Sequence, residues 1–190
     1  MSAHDRVRWD TIYTQLNNRP FPAPDALLLD YTPPVPEQRE RRALDLACGY
    51  GQNGLWLAEQ GYVTDLMDVS RVALTRARAE MAARNLRNIN VLQIDLDDLD
   101  LEEETYHLVC IFRYLKRDFM RKLRGAVIPG GRVIYETYNR RYLQIVPEFN
   151  QKFLLALNEL PSLFEGWKII HFEDIEHLSQ IVAIKPGEMF

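Results

Sequence analysis

The sequence predicts an α/β protein: one doubly wound sheet, mostly parallel, with an antiparallel hairpin at its C-terminal end. Three observations carry that reading. From Arg42 onward, short apolar runs alternate with stretches of helical pattern, the arrangement that produces right-handed crossovers between parallel strands. A glycine-rich turn, Gly49-Tyr50-Gly51, stands where the first apolar run passes into the first helical stretch. The last two apolar runs, 167–172 and 180–184, are joined by a loop with no helical pattern, so they pair antiparallel and close one sheet edge.

Residues 5–17 carry Val7, Trp9, Ile12, Tyr13 and Leu16 at mixed helical spacing, which reads as a short amphipathic helix docked on the core or acting as a lid. Six of the ten prolines fall between Pro20 and Pro36, and because proline fixes φ and removes an amide donor, this stretch reads as an irregular connector. Residues 43–47 form a strand interrupted by Asp45, 53–60 a helix ending at Gly61, and 62–67 a strand leading to Asp68. Ser70 is placed to cap a helix over 71–84, rich in Ala, Arg and Leu. Strands follow at 89–94 and, beyond the acidic stretch 95–104, at 106–112. A helix over 116–127 is broken by Pro129, Gly130 and Gly131, a strand occupies 132–138, and a helix over 148–160 precedes the hairpin. The expected organisation is one domain over 1–190, with helix and connector in 1–41 and the α/β core in 42–190.

Composition narrows the function. A chain of 190 residues buries roughly 70% of its unfolded surface and folds without disulfides or a structural metal. Cys48 and Cys110 lack CxxC spacing, so a reducing cytoplasm is the expected setting. Apolar runs such as 26–29 and 108–112 are far short of the roughly 20 residues that span a bilayer, and the start mixes Asp5 with Arg6 and Arg8 instead of a signal core. No membrane partner is expected. With 23 Lys and Arg against 27 Asp and Glu, the net charge of −4 argues against nucleic acid, and the arginines at 71, 76, 78, 84 and 87 read as a solvated helix face. Monomer and homodimer both stay open.

The segment from Asp45 to Gly54 sits at the strand-to-helix turn, where open α/β sheets bind ligands. Gly49, Gly51 and Gly54 spell GxGxxG, and Asp68 follows Gly49 by 19 residues, so a nicotinamide dinucleotide is a serious rival. The sign of the charge separates the readings. Asp45, Asp68 and Asp95 each lie at or near the carboxyl end of successive strands, and an ionised carboxylate only accepts hydrogen bonds. A ligand suiting that rim presents donors and positive charge: an ammonium or sulfonium, a ribose diol, an adenine amino group. S-adenosylmethionine carries all of these and no phosphate, whereas Asp45 would repel a pyrophosphate.

The chain resembles the class I S-adenosylmethionine-dependent methyltransferase family from Trp9 to Lys185. The resemblance rests on Trp9-Asp10 with Tyr13, Leu44-Asp45-Leu46-Ala47-Cys48-Gly49 through Asn53, Met67-Asp68-Val69-Ser70, Ile94-Asp95-Leu96, and Pro129-Gly130-Gly131 before a strand. Within the family it is most similar to the small tellurite-resistance branch, through Asp-Leu-Ala-Cys-Gly and the pairing of Phe112-Arg113-Tyr114-Leu115-Lys116-Arg117 with Tyr135-Glu136-Thr137. The resemblance implies a Rossmann-like, seven-stranded methyltransferase fold with its last strand inserted antiparallel in the sheet. It further implies that the loop from Asp45 through Ala47, Cys48 and Gly49 to Gly51 wraps the methionine portion, with Asp45 near the ammonium directly or through water and Asn53 also on the cofactor side. Asp68 would take the ribose hydroxyls, Val69 and Leu96 would sandwich the adenine, and Asp95 would accept from its amino group. Phe112 and Arg113 would border the methyl donor, with Trp9 and Tyr13 reaching it from the leader.

Methyl transfer is an in-line displacement at a carbon already activated by the sulfonium, so alignment and exclusion of water are the chief requirements. No convincing general base is visible in the sequence. The acceptor-side candidates are Tyr13, Arg113, Tyr114, Tyr138 and Arg140, of which the two arginines would hold an anionic substrate. The expected activity is transfer of a methyl group to a small-molecule acceptor with release of S-adenosylhomocysteine. A nicotinamide-dependent oxidoreductase and a noncatalytic S-adenosylmethionine-binding protein are the alternatives. Cys48 and Cys110 read as buried fillers, and His4 and His107 as surface groups. His171 and His177 beside Glu173, Asp174 and Glu176 read as a solvated turn, so no metal is expected.

Overall fold

A computed structural model describes residues 3–36, 40–97 and 99–187; the side chain of His4 and all of Asp98, in the acidic run, lie outside what is described. In chain order the elements are helices α1 (Ala3–Leu16) and α2 (Ala26–Tyr31), strand β1 (Arg42–Leu46), α3 (Gln52–Glu59), β2 (Val63–Asp68), α4 (Arg71–Ala83), β3 (Ile89–Gln93), β4 (Tyr106–Phe112), α5 (Met120–Ala126), β5 (Val127–Tyr138), α6 (Leu160–Leu163), β6 (Lys168–Ile175) and β7 (Leu178–Ile184). The seven strands make a mixed sheet in the order β3-β2-β1-β4-β5-β7-β6. Two units divide the chain, Met1–Asp100 and Leu101–Phe190.

In the first unit β1, β2 and β3 run parallel, with Arg42 opposite Val63 and Thr64 opposite Ile89. Leu44, Leu46 and Leu66 are fully buried, as strands covered on both faces require. The polar exceptions are matched: Asp65 accepts from Arg42 Nη2 (2.8 Å) and Asn90 Nδ2 (2.7 Å). Helix α4 starts where expected, with Ser70 Oγ accepting from the Ala73 amide. Helix α3 approaches β2 so closely that a Cβ on Gly54 would overlap the Leu66 side chain and stand 3.1 Å from Asp45 Oδ2.

Two expectations in this unit are corrected. The proline-rich connector contains a helix, α2, because three prolines on either side leave a six-residue window whose Leu27 and Leu28 find the core. Asp25 ahead of it is fixed by Asn53, whose Oδ1 accepts from the Asp25 amide and whose Nδ2 donates to the Asp25 carboxylate, both at 2.9 Å. On α1 the docking face is narrower than expected, for Val7 is 66% exposed. Trp9, Asp10, Ile12, Tyr13 and Leu16 are the half-buried side.

In the second unit β4 and β5 are parallel while β7 runs antiparallel between β5 and β6, as the resemblance implied for the last strand. Three expectations change here. The 116–127 helix begins as a 3₁₀ turn over Arg117–Phe119 before α5. Arg117 is drawn away from regular helix geometry by hydrogen bonds to Glu159 and to the carbonyls of Lys152 and Leu154. Next, Pro129-Gly130-Gly131 interrupts β5 without ending it. Val127 opposes Tyr106, the register shifts, and pairing resumes at Arg132 opposite Leu108, while Gly130 and Gly131 exchange backbone bonds with Lys185. The helix expected over 148–160 is replaced by a 3₁₀ turn at Gln151–Phe153 and the short α6. Asn139 and Asn150 each accept from an amide two residues ahead, Asn158 has φ 61°, and the Leu155 amide bonds Tyr138, so local side-chain bonds and strand-like pairing outcompete the helix. The hairpin strands extend further than their apolar runs, turning at Glu176-His177.

Gly54→Ala tests the α3–β2 contact. Overpacking against Leu66 should cost ~1–3 kcal/mol, read as a lowered urea midpoint with an unchanged slope.

Candidate functional site

A tight backbone turn follows β1. Ala47, Gly49 and Gly51 all take positive φ (55°, 56° and 77°), so the chain doubles back before α3, and only Ala47 bears the strain of a side chain there. The turn is held by the Cys48 amide bonding Met67 O and the Gly51 amide bonding Cys48 O. Asp45, 2% exposed, accepts from the Gly54 amide at 2.8 Å, placing a negative charge by the first turn of α3.

Asp68 ends β2, 6% exposed, and its two oxygens accept from different segments: Oδ2 from the Gly49 amide and Oδ1 from the Ser70 amide, each at 2.8 Å. A carboxylate offers about four lone-pair positions, so capacity remains for a further donor. Burial pushes Asp68 above the ordinary carboxylate range, against the pull of the Ser70, Gly49 and Val69 amides. Val69 and Leu96 are buried, and Asp95 is half-buried with Oδ1 accepting from the Asp97 amide at 3.0 Å.

The leader helix lies on this turn. Asp10 Oδ1 accepts from Ser70 Oγ (2.6 Å) and the Val72 amide (3.2 Å), so a carboxylate from α1 meets the first turn of α4. Tyr13 covers Gly49: a Cβ on that glycine would stand 2.5 Å from the Tyr13 hydroxyl. Trp9, Tyr13 and Tyr50 form a chain of rings with centroids 5.9 and 4.9 Å apart, the Tyr50 hydroxyl donates to Tyr13 O (2.9 Å), and the Arg76 guanidinium sits 4.3 Å over the Tyr50 ring. Burial, then the charge of Asp68, pushes the Tyr13 hydroxyl far above its usual range, and burial does the same to the Cys48 thiol. A thiol held protonated is no nucleophile.

Of the cofactor-side candidates, the first unit thus gathers Trp9, Tyr13, Ala47, Cys48, Gly49, Gly51 and Asp68 around one turn, with Asp45 beneath it. Asn53 has its amide engaged by Asp25 and would have to release it to meet a ligand. Sequence reasoning missed Tyr50 and the capping role of Asp10; the bulky residue between two glycines was the available sign.

In the second unit, Phe112 and Arg113 end β4. Arg113 takes φ 58°, donates its amide to Glu136 O (2.8 Å), and holds its guanidinium 3.4 Å from Glu136 Oε1. Glu136, buried and bonded by Gln180 Nε2 at 2.7 Å, is a carboxylate that the sequence reading quoted in the Tyr135-Glu136-Thr137 motif without giving it a role. Tyr114 contributes its carbonyl to the Tyr135 hydroxyl. Tyr138 stacks on Tyr142 at 4.1 Å, and burial raises its hydroxyl's pKa, followed by Tyr142, with Arg113 opposing. Arg140 is exposed and helps Arg117 keep Glu159 below the usual carboxylate range. The two arginines therefore face different carboxylates. Among the described residues no three His, Cys, Asp or Glu side chains gather as a metal site, and no helix is long and apolar enough to cross a membrane.

Residues 43–131, from β1 through the glycines of β5, match the methyltransferase domain family. That match covers a little under half of the chain. Its fold is that of class I S-adenosylmethionine-dependent methyltransferases. A methyltransferase of that kind from Mesorhizobium loti superposes with a TM-score of 0.64 at 20% identity, over 80% of this chain and 94% of its own. TehB from Haemophilus influenzae gives 0.71 at 16%, over 94% and 67%. A chain of the complex between the Haloferax volcanii Trm112 methyltransferase activator and its methyltransferase gives 0.73 at 15%, covering both chains completely. Among curated proteins no sequence matches the chain.

Asp10→Ala should remove the second of two side-chain acceptors at the start of α4, leaving Ser70 as its cap, and lower stability by ~0.5–2 kcal/mol, with Asp10→Asn retaining most of it. Urea melts of the two variants side by side check this.

Proposed function

We propose that this methyltransferase moves a methyl group from S-adenosylmethionine to a small-molecule acceptor, releasing S-adenosylhomocysteine. The observation that carries the cofactor assignment is Asp68: a buried acceptor, fixed by backbone amides, with capacity for a further donor. A ribose diol supplies such a donor. Asp45, Asp68 and Asp10 make the surroundings anionic, which suits a cationic nucleoside and opposes the pyrophosphate of a nicotinamide cofactor.

When bound, S-adenosylmethionine supplies a methyl group made electrophilic by its sulfonium. The protein's part is to hold and shield it. In this reading the turn from Ala47 through Cys48, Gly49 and Gly51 receives the methionine portion, with Asp45 acting on its ammonium and Asn53 joining if Asp25 lets go. Val69 and Leu96 flank the adenine and Asp95 accepts from its amino group. Trp9 and Tyr13 shed water from the site, and Tyr13, protonated under all ordinary conditions, serves as a donor or packing surface and not as a base. Phe112 is assigned to the methyl end. Arg113, Tyr114, Tyr138 and Arg140 are the acceptor-side candidates, and the positive φ of Arg113 supports singling it out, because such strain concentrates at working sites.

Calorimetric titration with S-adenosylhomocysteine and with a nicotinamide dinucleotide separates the cofactor readings. Turnover against a panel of thiols, amines, hydroxyls and organic anions separates an enzyme from a noncatalytic binder. Asp68→Ala should weaken S-adenosylhomocysteine binding by ~1–3 kcal/mol, since charge-assisted bonds to the ribose are lost; unchanged affinity would remove the assignment. The pH dependence follows from the same group. The ligand prefers ionised Asp68, and that carboxyl sits above its ordinary range, so affinity should fall on acidification earlier than an ordinary aspartate would dictate. Asp68→Asn should abolish this dependence.

A further inference from the structure

Strand β6 lies at one end of the sheet order, and among the described residues no strand pairs with its outer side. Such an edge presents amides and carbonyls that can template another strand, and proteins commonly protect it with proline, inward charge or a covering helix. β6 has little of this protection. Its sequence, Lys-Ile-Ile-His-Phe-Glu-Asp-Ile, contains no proline or glycine, and its only deviation is a register shift between Ile169 and His171. Lys168, Ile169 and Ile170 are exposed in succession. Because successive strand residues point to opposite faces, both faces are wet there. Ile169, Ile170 and Ile175 are 40, 37 and 43% exposed, and Leu157 is 40% exposed, next in sequence to Asn158, whose amide bonds the Asp174 carboxylate. Apolar surface of this kind on an edge strand marks an interaction site.

We propose that β6 is a homodimer interface, pairing antiparallel with β6 of a second copy to extend the sheet across a two-fold axis. Charge identifies the occupant. The strand is basic at its start, Lys168, and acidic at its end, Glu173 and Asp174, with Glu176 in the turn that follows. Antiparallel self-pairing lays the basic start of each copy against the acidic end of the other, whereas parallel pairing would set like against like. A two-fold axis repeats every contact, so the match occurs twice. In the register that sets Lys168 opposite Glu173, Ile170 of each copy lies diagonal to Ile169 of the other, and Leu157 widens the contact toward the area a stable dimer needs.

Light scattering on the eluting full chain, over a range of concentrations, tests this. The expected mass is twice that of the chain. Ile170→Lys, a charge set into an exposed edge position, should halve it while leaving the far-UV spectrum and cofactor affinity unchanged. Lys168→Glu, and separately the pair Glu173→Lys with Glu176→Lys, should each be monomeric alone, and an equimolar mixture should recover the dimer, because the altered start of one copy then meets the altered end of the other while the two unaltered ends meet as before. All three of these positions are exposed, so the substitutions leave the fold intact. A monomeric wild-type chain, a dimer that survives every variant, or a mixture that stays monomeric would overturn the proposal.

Discussion

One buried carboxylate organises the first unit. Asp68 lies at the carboxyl end of β2, and its two oxygens draw in the amide of Gly49 from one segment and of Ser70 from another. Those bonds set the approach of the turn after β1 to the start of α4. They also explain why the turn tolerates positive φ at Ala47: a strained backbone persists where its surroundings over-determine it. The cost of burying the charge is visible in the raised proton affinity of Asp68, which three amides offset only in part. A carboxylate in that condition gains from any donor that reaches it.

The leader helix contributes through polar as well as apolar contact. A face of half-buried Trp9, Ile12, Tyr13 and Leu16 offers modest hydrophobic area, and the sharper constraints are Asp10 at the start of α4 and the Tyr50 hydroxyl on Tyr13 O. Both bonds need one register of the helix on its support. The second unit is built differently, with a long irregular stretch after β5 held down by Arg117, which reaches Glu159 and two carbonyls at once.

Much of the fold was legible because period and punctuation are local. The apolar runs of β1, β2 and β4 are buried on both faces and fall within a residue or so of the expected limits, and Ser70 announces α4. What stayed hidden depends on partners distant in sequence. Residues 26–31 are too few to show a period, and α2 exists because Leu27 and Leu28 meet the core. The stretch 148–160 has helical composition, but Asn139, Asn150 and Asn158 spend their side chains or backbone on local turns. At the candidate site the aspartates could be read, since strand ends are predictable. The motif around Glu136 could be read, but its partners could not, because its burial and its bonds to Arg113 and Gln180 appear only in the folded chain.

Tyr13 sits at a junction where two motions become one. Its ring stands over Gly49 while its own carbonyl receives the hydroxyl of Tyr50, the residue immediately after that glycine. Lifting the helix breaks the Tyr50 bond, and reshaping the turn pushes on the ring. The Gly49 peptide is therefore a built-in gauge of leader position: its exchange with solvent, or its resonance in a magnetic field, reports at a single atom whether α1 is seated.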